Sequence, residues 1–318
     1  MSDSTPELAM VFPGQGSQAV GMMAGWQQAD TVVETFREAS EALGYDLWEL
    51  IEKGPAETLD RTDCTQPAIL TASVALWRLW QERGGTDPAL LAGHSLGEYS
   101  ALVAAEALSL RDAVALVADR GRYMQEAVPA GRGAMMAIIG LKDEQITELC
   151  AGVAQGEVVQ AVNFNAPGQV VIAGERSAVE RAGEAAKAAG AKRIMPLPVS
   201  VPSHCALMAP AAERLAERLQ EVELAAPRRS SVLHNVDLSI SKDAAAIRQR
   251  LVEQLASPVR WTETIQSMAA EGTRVILECG PGKVLTGLSR RIDRSLQGQS
   301  LGEPEGFEDA LGRFRAAL

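Results

Sequence analysis

Metal-binding patterns are missing from the sequence. The three histidines, His94, His204 and His234, form no H-x-H or H-x-x-x-H pair, and the four cysteines are scattered without a C-x-x-C spacing. Zinc sites and disulfide frameworks are recognised by such closely spaced ligands or paired cysteines. We therefore expect no metal ion, no other cofactor and no disulfide, and we expect the cysteines to be small core residues.

Positive charge and long apolar runs are also scarce. The chain has 30 Lys and Arg against 41 Asp and Glu, a formal net charge of -11, and therefore lacks the basic surface that nucleic-acid binding requires. No apolar run approaches the roughly 20 residues of a membrane helix, and the acidic N-terminus, MSDSTPELAM, does not resemble a signal peptide. We expect no nucleic-acid partner, no membrane partner and a cytoplasmic location.

Apolar residues are plentiful and are arranged as alternating strands and helices. In residues 1–127 this alternation predicts an open α/β sheet. Residues 128–200 have the order βαββαβ of a ferredoxin-like unit. A last apolar strand near 274–279 is expected to rejoin the first sheet. The sequence thus predicts an α/β core over 1–127 and 201–318, with helices on both faces of a parallel sheet and a small inserted subdomain.

The stretch GHSLGEYSALVAA, residues 93–105, places Ser95 between two glycines, after an apolar strand and before an apolar helix. This order is typical of a nucleophile elbow, a sharp turn that projects the serine oxygen at the top of a parallel sheet. The same residues fit a capping box, in which Ser95 and Glu98 only start the helix. Gly97 favours the elbow, because a glycine in the first turn costs about 1 kcal/mol and would cancel the gain from a cap.

A nucleophilic serine needs a base, and the adjacent His94 is poorly placed for that role. Neighbouring side chains at the end of a strand point to opposite faces, so His94 is expected to be structural or to line the pocket wall. His204 lies in a proline-bearing loop between a strand and a helix, whereas His234 lies in a short β-like run and is expected to be packed. Loops held by rigid elements often carry catalytic groups, which favours His204.

The group that orients this histidine is not evident from the residues alone. Asp237 follows His234 closely, but no acidic residue after His204 stands out. A backbone or amide oxygen would serve as well, because the orienting group need only fix the tautomer.

The stretch FPGQGSQA, residues 12–19, fits the dinucleotide-binding pattern G-x-G-x-x-A. Pro13 interrupts the junction of strand and turn, and the next segment is helical where a second strand would be needed, so we reject nicotinamide binding. A glycine-flanked loop after the first strand can instead direct a backbone N–H into the cleft. The N–H of Leu96, at a helix N-terminus, would be the second donor to a developing oxyanion.

Arg120 is unusual because of the helix face on which it falls. Polar residues of the helix over 109–126 share one face, but Arg120 lies on the apolar row formed by Ala113, Leu116 and Met124, which is expected to face inward. A buried arginine is unlikely to be left without a partner, since an isolated buried charge is very costly. It either meets an internal carboxylate or grips an anionic ligand with its planar fork.

Taken together, these residues resemble the family of malonyl-CoA:acyl-carrier-protein transacylases of fatty acid synthesis, which includes the acyltransferase domains of polyketide synthases. The resemblance covers nearly the whole chain. It rests on FPGQGSQ (12–18), GHSLGEYSAL (93–102), RGRYMQEAVP (120–129), NAPGQVVIAG (165–174), PVSVPSHCALM (198–208) and GPGKVLTGL (280–288).

The resemblance implies a hydrolase-like α/β core with a ferredoxin-like insert. It implies Ser95 as the nucleophile and His204 as the base, and it implies that the backbone carbonyl of Gln254 steadies this histidine. Members of the family often have a basic residue where Glu253 stands and an asparagine where His234 stands.

The resemblance also implies an oxyanion hole and a substrate clamp. The backbone N–H groups of Gln15 and Leu96 would form the hole, and Arg120 would pair with the carboxylate of the malonyl group. The expected reaction is a ping-pong transfer by a monomer, from malonyl-CoA to the phosphopantetheine thiol of acyl carrier protein, through a malonyl-serine ester.

Docking of an acidic carrier to an acidic chain needs a local basic patch. The candidates are Lys187, Lys192, Arg193, Lys283, Arg290 and Arg291, and the alternative is that they are simply solvated charges.

Three other functions compete with transfer to this carrier. A carboxylesterase is disfavoured by the absence of an HGGG-type segment and by the inward arginine. A noncatalytic carrier-docking protein would not be acylated, and a polyketide-type loader would differ mainly in its carrier or acyl group.

Overall fold

Strands and helices alternate along most of the chain. In the computed structural model, which describes residues 5–199 and 201–315, the strands are β1 (Thr5–Phe12), β2 (Pro88–Gly93), β3 (Gly133–Ile139), β4 (Val159–Ala166), β5 (Gln169–Glu175), β6 (Arg193–Pro196), β7 (Ser231–Leu233), β8 (Val275–Glu278) and β9 (Gln297–Ser300). The helices are α1 (Asp30–Leu43), α2 (Leu47–Lys53), α3 (Ala56–Leu59), α4 (Thr62–Glu82), α5 (Gly97–Ala104), α6 (Leu110–Ala127), α7 (Asp143–Val153), α8 (Arg176–Ala188), α9 (Ala209–Gln220), α10 (Ala244–Leu255), α11 (Trp261–Ala270), α12 (Val284–Ile292) and α13 (Pro304–Arg313).

Five parallel strands in the order β7-β2-β1-β8-β9 form the main sheet. The central strand β1 is buried on both faces, as is usual for parallel sheets. Leu8, Met10 and Phe12 pack in a cluster with α1, α4 and α6, whereas Ala9 and Val11 pack in a cluster with α11 and α12. The predicted parallel sheet with helices on both faces is therefore confirmed, and the strand expected near 274–279 does join it as β8.

A second sheet has four antiparallel strands in the order β4-β5-β3-β6. Along the chain its elements run β3-α7-β4-β5-α8-β6, which is the order expected for residues 128–200. Helices α7 and α8 cover one face. The other face packs on Cys205, directly beside His204, so this sheet supports the loop that carries the predicted base.

The structure also differs from the expected elements. Helix α4 begins at Thr62 and contains Pro67. Nearly every residue of α4 from Thr65 onward is buried, so packing outweighs the helix-breaking tendency of proline. The helix expected after the His204 loop starts as a 3₁₀ turn at Ala206–Met208 and continues as α9. The short helices α2 and α3 had no counterpart in the sequence analysis.

Three of the cysteines, Cys150, Cys205 and Cys279, are buried, as expected of core residues, and Cys64 is half-buried. Among the described helices, none combines the length and the apolar character needed to cross a membrane.

Candidate active site

The turn between β2 and α5 is a nucleophile elbow. Ser95 has a left-handed backbone with φ 52°, a conformation that is strained for a residue with a Cβ. Both flanking glycines are sterically required. A Cβ on Gly93 would lie 1.8 Å from the carbonyl carbon of Gly97, and a Cβ on Gly97 would lie 2.1 Å from the carbonyl oxygen of Phe12. The glycine in the first turn of the helix is thus explained by close packing of the elbow against β1.

The alternative capping box does not form. Leu96 is the N-cap of α5, without a side-chain hydrogen bond, and the Ser95 hydroxyl contacts His204 and Arg120 instead of the helix N-terminus. The carboxylate of Glu98 is buried and accepts hydrogen bonds from His234, from the backbone N–H of Asn235 and from the side-chain amide of Gln254. The reading of Ser95 as a simple helix cap is therefore wrong.

His204 lies between Ser95 and Gln254, although it is far from both in sequence. Its Nε2 is 2.7 Å from Ser95 Oγ, and its Nδ1 is 2.8 Å from the backbone carbonyl oxygen of Gln254. Because a carbonyl can only accept, Nδ1 carries the proton of the neutral ring and Nε2 is left to accept the serine proton. Burial, and next the charge of Arg120, lower the pKa of His204 to about 3. The ring is therefore neutral and ready to act as a base near pH 7.

The other two histidines do not contact the serine hydroxyl. His94 Nε2 is 2.8 Å from the side-chain oxygen of Asn165, and burial lowers the pKa of His94. Its ring also lines the cavity next to Ser95, so it has both of the roles expected for it. His234 is buried, as expected, with its Nδ1 2.7 Å from a carboxylate oxygen of Glu98. Asp237 pairs with Arg250 and does not orient a histidine of the site.

Gln15 and Leu96 line the same cavity of about 100 Å³ as Ser95, Arg120 and His204. In the described part of the chain, the backbone N–H groups of Gln15 and Leu96 donate to no other protein group. Leu96 also precedes the first turn of α5, where the helix dipole favours negative charge. Gln15 and Leu96 thus share a cavity with Ser95, and their role as the two donors to an oxyanion remains a prediction.

Arg120 reaches the serine from the interior, as its position on the apolar row of α6 predicts. It is 1% exposed. Nη1 donates to Gln66 Oε1 at 2.9 Å, and Nη2 donates to Gln254 Oε1 at 2.9 Å and to Ser95 Oγ at 3.2 Å. None of these partners is a carboxylate, so the expected alternative of an internal ion pair is not realised. A buried cation held by neutral groups is well suited to receive an anionic ligand.

The residues that brace the elbow are not among the predicted site residues. Asn235 follows β7, the strand next to β2. Its side-chain oxygen accepts from the backbone N–H of Ser95 at 2.8 Å, and its side-chain nitrogen donates to the carbonyl of Gly93 at 2.7 Å. Glu98 was considered only as a capping residue, and Gln66 was not considered at all. A polar residue directly after a buried strand was the one signal available for Asn235, since ligand sites lie at the carboxyl ends of parallel strands.

The six basic residues proposed for carrier docking are all exposed. Two of them are already engaged: Arg290 donates to the backbone carbonyl of Gly298, and Arg291 donates to Gln169 Oε1 of β5. Arg290 therefore braces the neighbouring strand β9, and the docking role of this set is still a prediction.

Comparisons with known proteins identify the family. Residues 9–300 match the family described as acyl transferase domain. The malonyl CoA-acyl carrier protein transacylase of Salmonella typhimurium is 59% identical to this chain over 306 residues, which are 96% of this chain and 99% of that protein.

Solved structures agree in fold and in sequence. An acyl carrier protein S-malonyltransferase from Vibrio cholerae matches with a TM-score of 0.93 and 57% identity, covering 95% of this chain and 99% of the other. A malonyl-transacylase in complex with its type II PKS acyl-carrier protein matches with a TM-score of 0.95 and 56% identity, covering 96% and 99%. The resemblance seen in the six sequence segments is confirmed, and the chain belongs to the acyl transferase family.

Proposed function

We propose that this protein transfers a malonyl group from malonyl-CoA to the phosphopantetheine thiol of acyl carrier protein, for fatty acid synthesis. The observation that carries the proposal is that a histidine base and a buried arginine both contact the hydroxyl oxygen of Ser95. Ser95 Oγ lies 2.7 Å from the acceptor nitrogen of His204 and 3.2 Å from Nη2 of the buried Arg120. The names of the relatives, and the relative in complex with its carrier, support the same assignment.

In the first half-reaction, Ser95 Oγ attacks the thioester carbonyl of malonyl-CoA while His204 Nε2 takes its proton. The oxyanion of the tetrahedral intermediate receives the N–H groups of Gln15 and Leu96. When the intermediate collapses, the carbon–sulfur bond breaks and the CoA thiolate leaves with the proton held on Nε2. A malonyl ester of Ser95 and a neutral imidazole remain.

In the second half-reaction, the thiol of the phosphopantetheine arm gives its proton to His204 and attacks the ester carbonyl. The ester bond breaks, and Ser95 Oγ regains the proton from Nε2. Throughout both steps the backbone carbonyl of Gln254 holds the imidazole in one tautomer, and Arg120 pairs with the distal carboxylate of the acyl group. The same base and the same oxyanion donors therefore serve both directions of transfer.

The proposal extends to the organisation of the protein. Residues 128–200, with their antiparallel sheet and two helices, would be a ferredoxin-like subdomain inserted into a hydrolase-like core formed by 1–127 and 201–318. The protein would act in the cytoplasm as a monomer, without a cofactor or metal ion. Light scattering behind a sizing column tests the monomer, because a dimer would double the measured mass.

The decisive experiment is intact-mass spectrometry of the protein mixed separately with malonyl-, methylmalonyl- and acetyl-CoA. The wild type should gain one malonyl group, Ser95→Ala should gain none, and Ser203→Ala should behave as the wild type. Ser203 is a suitable control because it lines the same cavity, while its hydroxyl donates, among the described residues, to the carbonyl of Val201 and not to Ser95 or His204.

Addition of a carrier protein with its phosphopantetheine arm should then move the malonyl mass from Ser95 to the carrier. Running a fatty-acid carrier and a type II polyketide carrier in parallel separates the two kinds of acceptor. Hydrolysis without any gain of mass on either carrier would favour an esterase, and a wild type that is never acylated would leave only a noncatalytic docking role.

A further inference from the structure

The side chain of Gln254 links the two charged groups buried beneath the elbow. Gln254 is fully buried. Its Oε1 accepts from Arg120 Nη2 at 2.9 Å, while its Nε2 donates to Glu98 Oε2 at 2.9 Å and to the backbone carbonyl of Ser95 at 3.1 Å. These contacts are separate from the bond between the backbone carbonyl of Gln254 and His204.

The orientation of this amide is fixed by the chemistry of its neighbours. Glu98 and the Ser95 carbonyl can only accept, and the guanidinium of Arg120 can only donate. A flipped amide would place oxygen against two acceptors and NH₂ against the cation. Nε2 must therefore face Glu98, and Oε1 must face Arg120.

Glu98 is held in turn by donors alone. Its Oε1 lies 2.7 Å from Nδ1 of His234, a distance at which a carboxylate requires the proton on Nδ1, and its Oε2 accepts from the backbone N–H of Asn235 at 3.0 Å and from the Gln254 amide. The carboxylate is fully buried. The amide of Gln254 therefore lies between the carboxylate of Glu98 and the guanidinium of Arg120. Glu98 can balance the positive charge of Arg120 without forming a direct ion pair with it.

This separation matters for substrate binding. A direct ion pair would occupy the guanidinium fork and leave it unavailable to an incoming carboxylate. A guanidinium with no opposing charge would be costly to bury. An amide placed between the two charges avoids both problems, because it keeps the fork beside Ser95 while the counter-charge remains out of reach.

We propose that Gln254 is a positioning residue for acyl specificity: its side-chain amide separates Arg120 from Glu98 and keeps the guanidinium available for the carboxylate of the malonyl group. This inference rests on the proposed function. It differs from the role of the Gln254 backbone in orienting His204, because that role depends on the main chain and survives replacement of the side chain.

The test is Gln254→Met, which is close in length and lacks the amide. We expect the preference for malonyl-CoA over acetyl-CoA, measured as the ratio of their kcat/KM values for acylation, to fall about tenfold or more, since one charge-assisted hydrogen bond is worth at least about a factor of ten. The loss should come mainly from KM for malonyl-CoA and should clearly exceed any loss for acetyl-CoA. Gln249→Met, on the exposed side of the same helix, is the matched control and should keep the wild-type ratio.

Gln254→Glu is the second variant. Its carboxylate would pair with Arg120 directly and should also lower the ratio. A double-mutant cycle with Arg120→Leu then asks whether the effect passes through the guanidinium. In the Arg120→Leu background, Gln254→Met should change the ratio no further.

Several outcomes would overturn the inference. They are equal losses for both acyl-CoAs in both variants, an effect of Gln254→Met that persists without Arg120, or loss of folding by circular dichroism in both variants, which would assign the amide a structural role. A wild type that acylates Ser95 with malonyl-CoA keeps the proposed function intact in all of these cases. A wild type that is not acylated rejects the proposed function itself.

Discussion

Replacing Arg120 with leucine removes the buried positive charge beside Ser95 and keeps an apolar side chain on the inward row of α6. The guanidinium has no carboxylate among its hydrogen-bond partners in the described chain, and it donates to Ser95 Oγ at 3.2 Å. Its proposed role is to pair with the distal carboxylate of malonyl-CoA. Acetyl-CoA has no such carboxylate, so the two thioesters should respond differently to the substitution.

The size of the effect follows from the burial of the site. Arg120 is 1% exposed, and removing one partner of a buried ion pair costs about 3–5 kcal/mol, because the other charge is left without compensation. At about 1.4 kcal/mol for each factor of ten, kcat/KM for malonyl-CoA should fall between about 10² and 10⁴-fold. For acetyl-CoA we expect a smaller loss, of less than about tenfold at pH 7, since Ser95 and His204 are both retained and acetyl-CoA has no distal carboxylate to lose a partner.

The assay is the rate of acylation of Ser95 at varied concentrations of each thioester, followed by intact mass after rapid quenching. Arg122→Leu is the matched control, because Arg122 lies on the same helix, is exposed and forms a salt bridge with Asp119. It should leave both kcat/KM values unchanged.

A malonyl-to-acetyl preference that survives in Arg120→Leu would refute the reasoning, because the buried charge would then have no part in recognising the acyl group. Equal losses with both thioesters would also contradict it. That pattern would mean that the substitution disturbs the elbow or His204 rather than the binding of the carboxylate.

Two further predictions concern His204 and the elbow. Because burial and the Arg120 charge lower the pKa of His204 to about 3, its base form should persist well below pH 6.5. The kcat/KM for acylation should fall only as the pH approaches that lowered value. In Arg120→Leu the acid limb of the pH profile should move to higher pH, because the charge that lowers the pKa is gone. A wild-type limb at about pH 6.5, the ordinary value for histidine, would be incompatible with the buried site. Gly97→Ala should destabilise the fold by about 3 kcal/mol or more in urea unfolding, because its Cβ would lie 2.1 Å from the backbone oxygen of Phe12. Gly287→Ala in α12, where nothing lies within 4 Å of the added Cβ, should be neutral or stabilising by up to about 1 kcal/mol, and equal losses in the two variants would count against the steric argument.

The strained elbow shows how the fold supports the chemistry. Ser95 and His204 both have left-handed backbones, with φ of 52° and 65°, and such conformations persist only where surrounding contacts hold them. Asn235 holds the backbone N–H of Ser95 and the carbonyl of Gly93, and the backbone N–H of His204 donates to the carbonyl of Leu255 at 3.0 Å. The two reacting groups are therefore held by separate elements before any substrate binds.

The predictions that succeeded depend on short-range patterns. The elbow is encoded within residues 93–97, because the two glycines and the serine between them define the turn. The inward direction of Arg120 follows from the helical period, and burial confirms it. His204 is favoured among the three histidines, because His94 lies on the wrong side of the strand and His234 lies in a β-like run rather than a loop.

What the sequence determined by itself is the identity of the reacting groups and the local backbone that presents them, because turns and helix faces are set by residues a few positions apart. What only the tertiary structure decided is which distant groups meet them. Asn235 reaches Ser95 because β7 pairs with β2, and the amide of Gln254 lies between Glu98 and Arg120 because α10 packs beneath the elbow. Such contacts join residues more than 130 positions apart, and the order of strands and the packing of helices that create them are not contained in any short stretch of the chain.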